Sequence, residues 1–133
     1  MTDATQQANV APMRDNPFMR YNHIEIGEVE RDRAEVFLDL VPESKNIYGV
    51  VHGGAYFTMA DCCAGLAARS DGRQYVTQDA SVQFIRNTRA GRVIARSAVL
   101  NRGRRICLVE VKVTGEAGEL LFSGVFSMYC VNA

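Results

Sequence analysis

Between Ala55 and Ala68 the chain runs through alanine, leucine, methionine and cysteine and carries a single charge, Asp61. Burying a carboxylate without a partner costs several kcal/mol. An acid in such a run is therefore neutralised, hydrogen-bonded to a neighbouring strand, or set against a cavity that uses it. Perturbed carboxylates concentrate at functional sites, which makes Asp61 the first candidate for acid–base or nucleophilic work. Just upstream, His52-Gly53-Gly54 stands where a loop turns into this apolar segment. The first amides of a helix lack intrahelical acceptors and sit at the positive end of its dipole, so they suit a developing oxyanion. Glycine there either lets a carbonyl approach closely or serves a tight turn. Asn46, seven residues before Gly53, can donate its amide to a ligand or organise its own turn. His52 can act on a ligand, cap the helix or pack.

The remaining chemistry-bearing residues are sparse. His23 and His52 are isolated, and neither an HExxH pattern nor a CxxC pair occurs, so no metal site and no cofactor is expected. Cys62, Cys63, Cys107 and Cys130 form no disulfide framework and read as reduced core thiols. Fifteen basic and fifteen acidic residues cancel, which gives no global field for nucleic acid or an anionic membrane. Residues 1–10 are polar, without a basic segment leading into an apolar one, and no run of about 18 apolar residues follows. A cytoplasmic location, with no membrane partner, is expected.

The elements that must position Asp61 follow from the pattern. With 133 residues, 47% of them hydrophobic, one core is expected. The division is a flexible tail over 1–15 and a single domain over 16–133. Asn16-Pro17 predicts a short helix over Pro17 to Tyr21. Ile24 to Val41 alternates as a hairpin about the charged Glu30-Arg31-Asp32-Arg33 turn. A buried helix over Ala55 to Ala68, about 14 residues and roughly 21 Å long, comes next. Four strands then run over Tyr75–Ile85, Arg92–Leu100, Ile106–Val113 and Leu120–Val131, expected to join as consecutive hairpins. A helix without a polar face must be enclosed, which implies a curved antiparallel sheet wrapped around it, an α+β fold.

The stretch Asn46 to Asp61 reads NIYGVVHGGAYFTMAD and resembles the N-x-x-G-x-x-H-G-G-x-x-x-x-x-x-D pattern of the hot-dog-fold acyl-CoA thioesterases of the phenylacetate-pathway (PaaI-like) type. Looser similarity extends through Val76-Thr77-Gln78-Asp79, Phe84-Ile85-Arg86, Ala90-Gly91 and Arg102-Gly103-Arg104-Arg105. The resemblance implies Asp61 as general base or nucleophile and the Gly53 amide as the group that polarises the thioester carbonyl. Asn46 and His52 would help to hold that carbonyl or the loop around it, and Thr77 would orient the attacking water. Asn87 stands where related sequences often have proline, a departure expected to loosen that turn. Arg102, Arg104 and Arg105 form either a site for the CoA phosphates or a solvated hairpin end. Gly54, Tyr48 and Phe84 are further substrate-binding candidates, with Tyr56 and Phe57 beside them; Arg86 and Arg89 are additional basic candidates.

Eight residues of helix separate Gly53 from Asp61 by about 12 Å, too far for one carbonyl to meet both. The two groups serving one substrate are therefore expected from different subunits of a homodimer, with a dimer of dimers as the larger assembly. A thioester has a good leaving group, so a carboxylate and one or two amide donors can suffice. Two other readings fit the same fold: an acyl-thioester hydratase or dehydratase, and a non-catalytic acyl-CoA-binding oligomer.

Overall fold

The computed structural model describes Met13 and residues 16–133. The tail expected over 1–15 lies, Met13 apart, outside the described residues. Helix α1 spans Pro17–Tyr21, where Asn16 Oδ1 accepts the Phe18 and Met19 N–H groups and the proline opens the first turn. Strands β1 (Ile24–Glu30) and β2 (Arg33–Asp39) pair antiparallel around a two-residue turn at Arg31 and Asp32. A 3-10 turn (Pro42–Ser44) and an open loop lead to helix α2, Gly53–Arg69. Strands β3 (Tyr75–Phe84), β4 (Arg92–Arg102), β5 (Ile106–Thr114) and β6 (Leu120–Cys130) complete the chain.

All six strands form one antiparallel sheet in the order β1-β2-β4-β5-β6-β3, and α2 packs against every one of them. The hairpins β1–β2, β4–β5 and β5–β6 form as the turns predict. The β3–β4 hairpin does not. β3 pairs with β6, and β4 inserts beside β2. The link over residues 85–91 causes the crossing, because it turns away to bond the loop before α2, where the Val51 N–H donates to the Thr88 carbonyl. Among the described residues, β3 is thereby left at the sheet edge with one neighbour.

The core is the contact between α2 and the inner faces of the strands. Tyr56, Met59, Ala60, Cys63, Ala64, Leu66 and Ala67 recur at helical spacing and are buried against Val36, Leu38, Val93, Val109, Val111, Phe122 and Phe126. Enclosure of the helix is incomplete, a departure from the pattern-based expectation. Gly54, Phe57, Thr58, Asp61 and Cys62 form a stripe along α2 that this chain's sheet leaves partly open. The one charge of the central segment lies on that stripe.

Candidate active site

Two separate groups of candidate residues emerge, one at the start of α2 and one two turns along it. At the start, His52 is the N-cap: its Nδ1 accepts the Gly54 N–H at 2.8 Å, and its carbonyl accepts the Ala55 N–H at 2.9 Å. The Gly54 donor expected to face a ligand is therefore already satisfied. The Gly53 N–H has no acceptor among the described residues. A Cβ at Gly53 would stand 3.2 Å from Phe84 Cε1, so the exposed ring would have to give way by a few tenths of an ångström.

Asn46 organises the preceding loop. Its Oδ1 accepts the Tyr48 and Val50 N–H groups, and its carbonyl accepts the N–H of Gly49, which adopts a φ of 76°. Its Nδ2 has no partner among the described residues, and Asn46 lines the same groove as Gly53. That groove, about 400 Å³, is bounded by Asn46, Gly53, Tyr56, Phe84, Arg86 and Asn87. Tyr48 projects from the loop tip at 73% exposure and does not line it. Phe57 turns the other way, its ring 5.6 Å from that of Phe126.

Two turns along α2, Asp61 is half-buried and accepts a hydrogen bond from Thr77 Oγ1 at 2.5 Å. Thr77 reaches it through a register shift. Between Thr77, opposite Met128, and Asp79, opposite Ser127, β3 carries one extra residue, Gln78. Without that bulge, a strand that turns Ala80, Val82 and Phe84 inward would turn Thr77 outward. Asp61 does not border the groove at Gly53, so the structure keeps the carboxylate and the free amide of one chain apart.

The other candidates are used differently. Arg102, expected among phosphate ligands, is only 16% exposed in its side chain and pairs with Asp32 and Asp71, each at 2.7 Å. Its guanidinium also donates to the Ala67 and Ala68 carbonyls at the end of α2. Orphan carbonyls and the negative end of the helix dipole draw a cation to that place, so Arg102 is a helix cap. Arg104 and Arg105 remain exposed, and Arg105 Nη1 donates to the Tyr129 hydroxyl at 3.3 Å. Burial, with a smaller contribution from the Asp61 charge, pushes the Cys62 thiol up to about 12. Cys63 is likewise about 12, chiefly through burial. Neither supplies a thiolate at neutral pH.

Asn87, noted in the sequence only as a departure from proline, makes a contact that the sequence did not disclose. It ties the turn to the loop before α2: its Nδ2 donates to the Val51 carbonyl and its Oδ1 accepts the Val51 N–H and the Tyr56 hydroxyl. Asparagine in a turn was the available signal, and nothing in it indicated a contact 36 residues upstream.

Residues 48–122, over half of the chain, match the model of the Thioesterase superfamily. The chain belongs to that superfamily. The Mycobacterium tuberculosis protein Rv1847 is 30% identical over 114 residues, 81% of each chain. Among solved structures, a Streptococcus mutans protein bound to acetyl-CoA is 27% identical, with a TM-score of 0.77 over 81% of this chain and 88% of that one. The phenylacetic acid degradation protein PaaI of Thermus thermophilus is 26% identical, with a TM-score of 0.82 over 87% of this chain and all of that one. This thioesterase superfamily member thus has the α+β hot-dog fold of the PaaI-like type, and its reaction class is that of a hydrolase. Among the described residues, no helix is long and apolar enough to cross a membrane.

Proposed function

We propose that this protein hydrolyses acyl-CoA thioesters to the free acid and CoA, at sites shared between two copies of the chain. The observation that carries the reading is the division of labour along α2: a Gly53 N–H at its start that is unpaired among the described residues, and an Asp61 carboxylate, held by Thr77, about 12 Å further on. The acetyl-CoA bound to the Streptococcus mutans relative supports CoA as the carrier. β3 supports the pairing, because it is a ten-residue edge strand whose outer ladder edge is free among the described residues, with Val76 and Phe84 more than half exposed. A two-fold pairing along this edge brings the Asp61 and Thr77 of one copy toward the Gly53 of the other.

In this reading the thioester oxygen accepts the Gly53 N–H, with Asn46 Nδ2 beside it. The partner's Asp61 takes a proton from water as the water oxygen bonds to the carbonyl carbon. The tetrahedral intermediate then expels the CoA thiolate by breaking the C–S bond, and the proton passes to sulfur. Thr77 holds the carboxylate from the far side. Thiol release measured over short, medium, long and aromatic CoA esters tests the proposal, with Asp61→Asn as control. Release abolished in a folded Asp61→Asn dimer is expected. Binding of CoA esters without release, or a change of acyl unsaturation without release, would replace the reading by a binding oligomer or a hydratase.

A further inference from the structure

The link between β3 and β4 passes beside the loop that precedes α2, and one side chain ties the two together. Asn87 Nδ2 donates to the Val51 carbonyl at 3.0 Å, and the Val51 N–H donates back to Asn87 Oδ1 at 3.1 Å. A side-chain amide thus grips one peptide position in both directions, as a neighbouring strand does. The same Oδ1 accepts the Tyr56 hydroxyl at 2.9 Å and the Thr88 N–H at 2.9 Å. Val51 stands two residues before Gly53 and Tyr56 three residues after it. One residue therefore holds the chain on both sides of the free N–H.

The two halves of the grip differ in weight. The Val51 N–H has a second acceptor, the Thr88 carbonyl at 3.2 Å. The Val51 carbonyl has no donor among the described residues other than Asn87, and Val51 is fully buried. Without Asn87 that carbonyl is left unpaired in the interior, and the peptide is driven to rotate toward some other donor. The next peptide along carries the Gly53 N–H. An oxyanion donor acts through its fixed direction, so a rotation at Val51 is passed on to Gly53 as a loss of preorganisation.

We infer that Asn87 is a positioning residue of the oxyanion site, acting through Val51 and Tyr56 to aim the Gly53 N–H. The inference rests on the proposed role of that amide as the carbonyl-binding donor. It departs from the expectation that asparagine at this position slackens the turn.

The test compares Asn87→Ala, which removes the whole grip, with Asn87→Asp, which keeps the size and the acceptor but replaces the donor to Val51 by an oxygen. Tyr56→Phe removes only the hydroxyl contact. In CoA-ester hydrolysis by the full-length protein, kcat is expected to fall roughly ten- to a hundredfold in both Asn87 variants, with KM changed less than threefold. Tyr56→Phe should lose less. A merely structural role lowers Tm and leaves kcat of the folded fraction alone, so unchanged kcat in either folded Asn87 variant overturns the inference. If the wild-type protein releases no thiol from any ester, the proposed function fails, and amide exchange decides this inference instead. Exchange at Val51 and His52 in Asn87→Ala should then quicken tenfold or more while β5 and β6 keep their protection, and wild-type exchange there overturns it.

Discussion

Thr77 Oγ1, on the edge strand β3, donates to Asp61 Oδ1, on the central helix, at 2.5 Å. The bond places a neutral hydroxyl against the only charge of the apolar segment and leaves the second carboxylate oxygen for water. Thr77→Val keeps the shape of the side chain and removes the donor. Its kcat on CoA esters should fall about ten- to a hundredfold, while Thr77→Ser should retain most of it. Equal turnover by the valine variant and wild type would dismiss Thr77 as a partner of the carboxylate.

Gly53 occupies the first helical position, where proline is well accepted because its fixed φ suits the helix and the N–H it lacks is unused by the helix. The preceding His52 has φ −66° and ψ 135°, the extended geometry that a residue before proline requires. Gly53→Pro therefore deletes one N–H with little change to the backbone, although the ring must push Phe84 aside by a few tenths of an ångström. Loss of a single oxyanion donor costs about 10²–10³ in kcat. Steady-state kinetics with a matched Tm measurement checks this, and a stable variant with full kcat would exclude the amide from the reaction.

Asp71 gives the fold an acid limb. Its side chain is 6% exposed, pairs with Arg73 at 2.8 Å and Arg102 at 2.7 Å, and accepts the Tyr75 hydroxyl. Burial by itself would raise its pKa, but the Arg73 N–H, the Tyr75 hydroxyl and the Arg73 side chain, with the charge of Arg102, hold it below the ordinary 3.8. The folded pKa is thus depressed. Its contribution to stability is fully present above about 3.8 and is lost as pH falls through the lower folded value. Tm measured against pH should drop over that acid range, and Asp71→Asn should flatten the drop while costing on the order of 3 kcal/mol at neutral pH. A variant with the wild-type acid profile would show that Asp71 is not its source.

Cys62 lies next to Asp61 on the open stripe, yet its thiol is pushed up to about 12. Nucleophilic attack by sulfur needs the thiolate. Native protein treated with iodoacetamide at pH 8 should keep its hydrolytic activity and react at Cys62 far more slowly than a free thiol. Rapid inactivation, traced to Cys62 by peptide mapping, would reopen a cysteine mechanism.

How far the sequence reveals these features depends on the range of the interaction behind each. Asp61 stands out because its cost is local: one charge in a run of apolar neighbours is visible without a structure. The hairpins at Arg31-Asp32, Gly103 and Gly115–Gly118 are legible for the same reason, since turn chemistry is written in adjacent residues. The position of β3 is not, because alternation shows which way a side chain points and says nothing of which strand lies beside it. Thr77 is out of phase with Ala80, Val82 and Phe84, and only the bulge at Gln78 brings it to the helix. Arg102 looks like a phosphate ligand when read with its neighbours, but the Ala67 and Ala68 carbonyls at the end of α2 that claim it lie more than 30 residues away.

The shared site itself can be tested by mixing inactive chains. Suppose Asp61→Asn and Gly53→Pro chains are combined so that dimers form at random. In a mixed dimer, one site receives Gly53 from the first chain and Asp61 from the second, both intact, and the other site receives both lesions. Each mixed dimer then carries one working site of two, and mixed dimers are half of the population, so the mixture recovers about a quarter of wild-type activity from two inactive parents. If each site drew Gly53 and Asp61 from one chain, every site in every dimer would bear a lesion and mixing would recover nothing. Co-expression with two different affinity tags isolates the mixed species, for which the expected activity rises to about half. Activity at the background of the parents in that purified species would place both groups in a single chain, against the roughly 12 Å that separates them along α2.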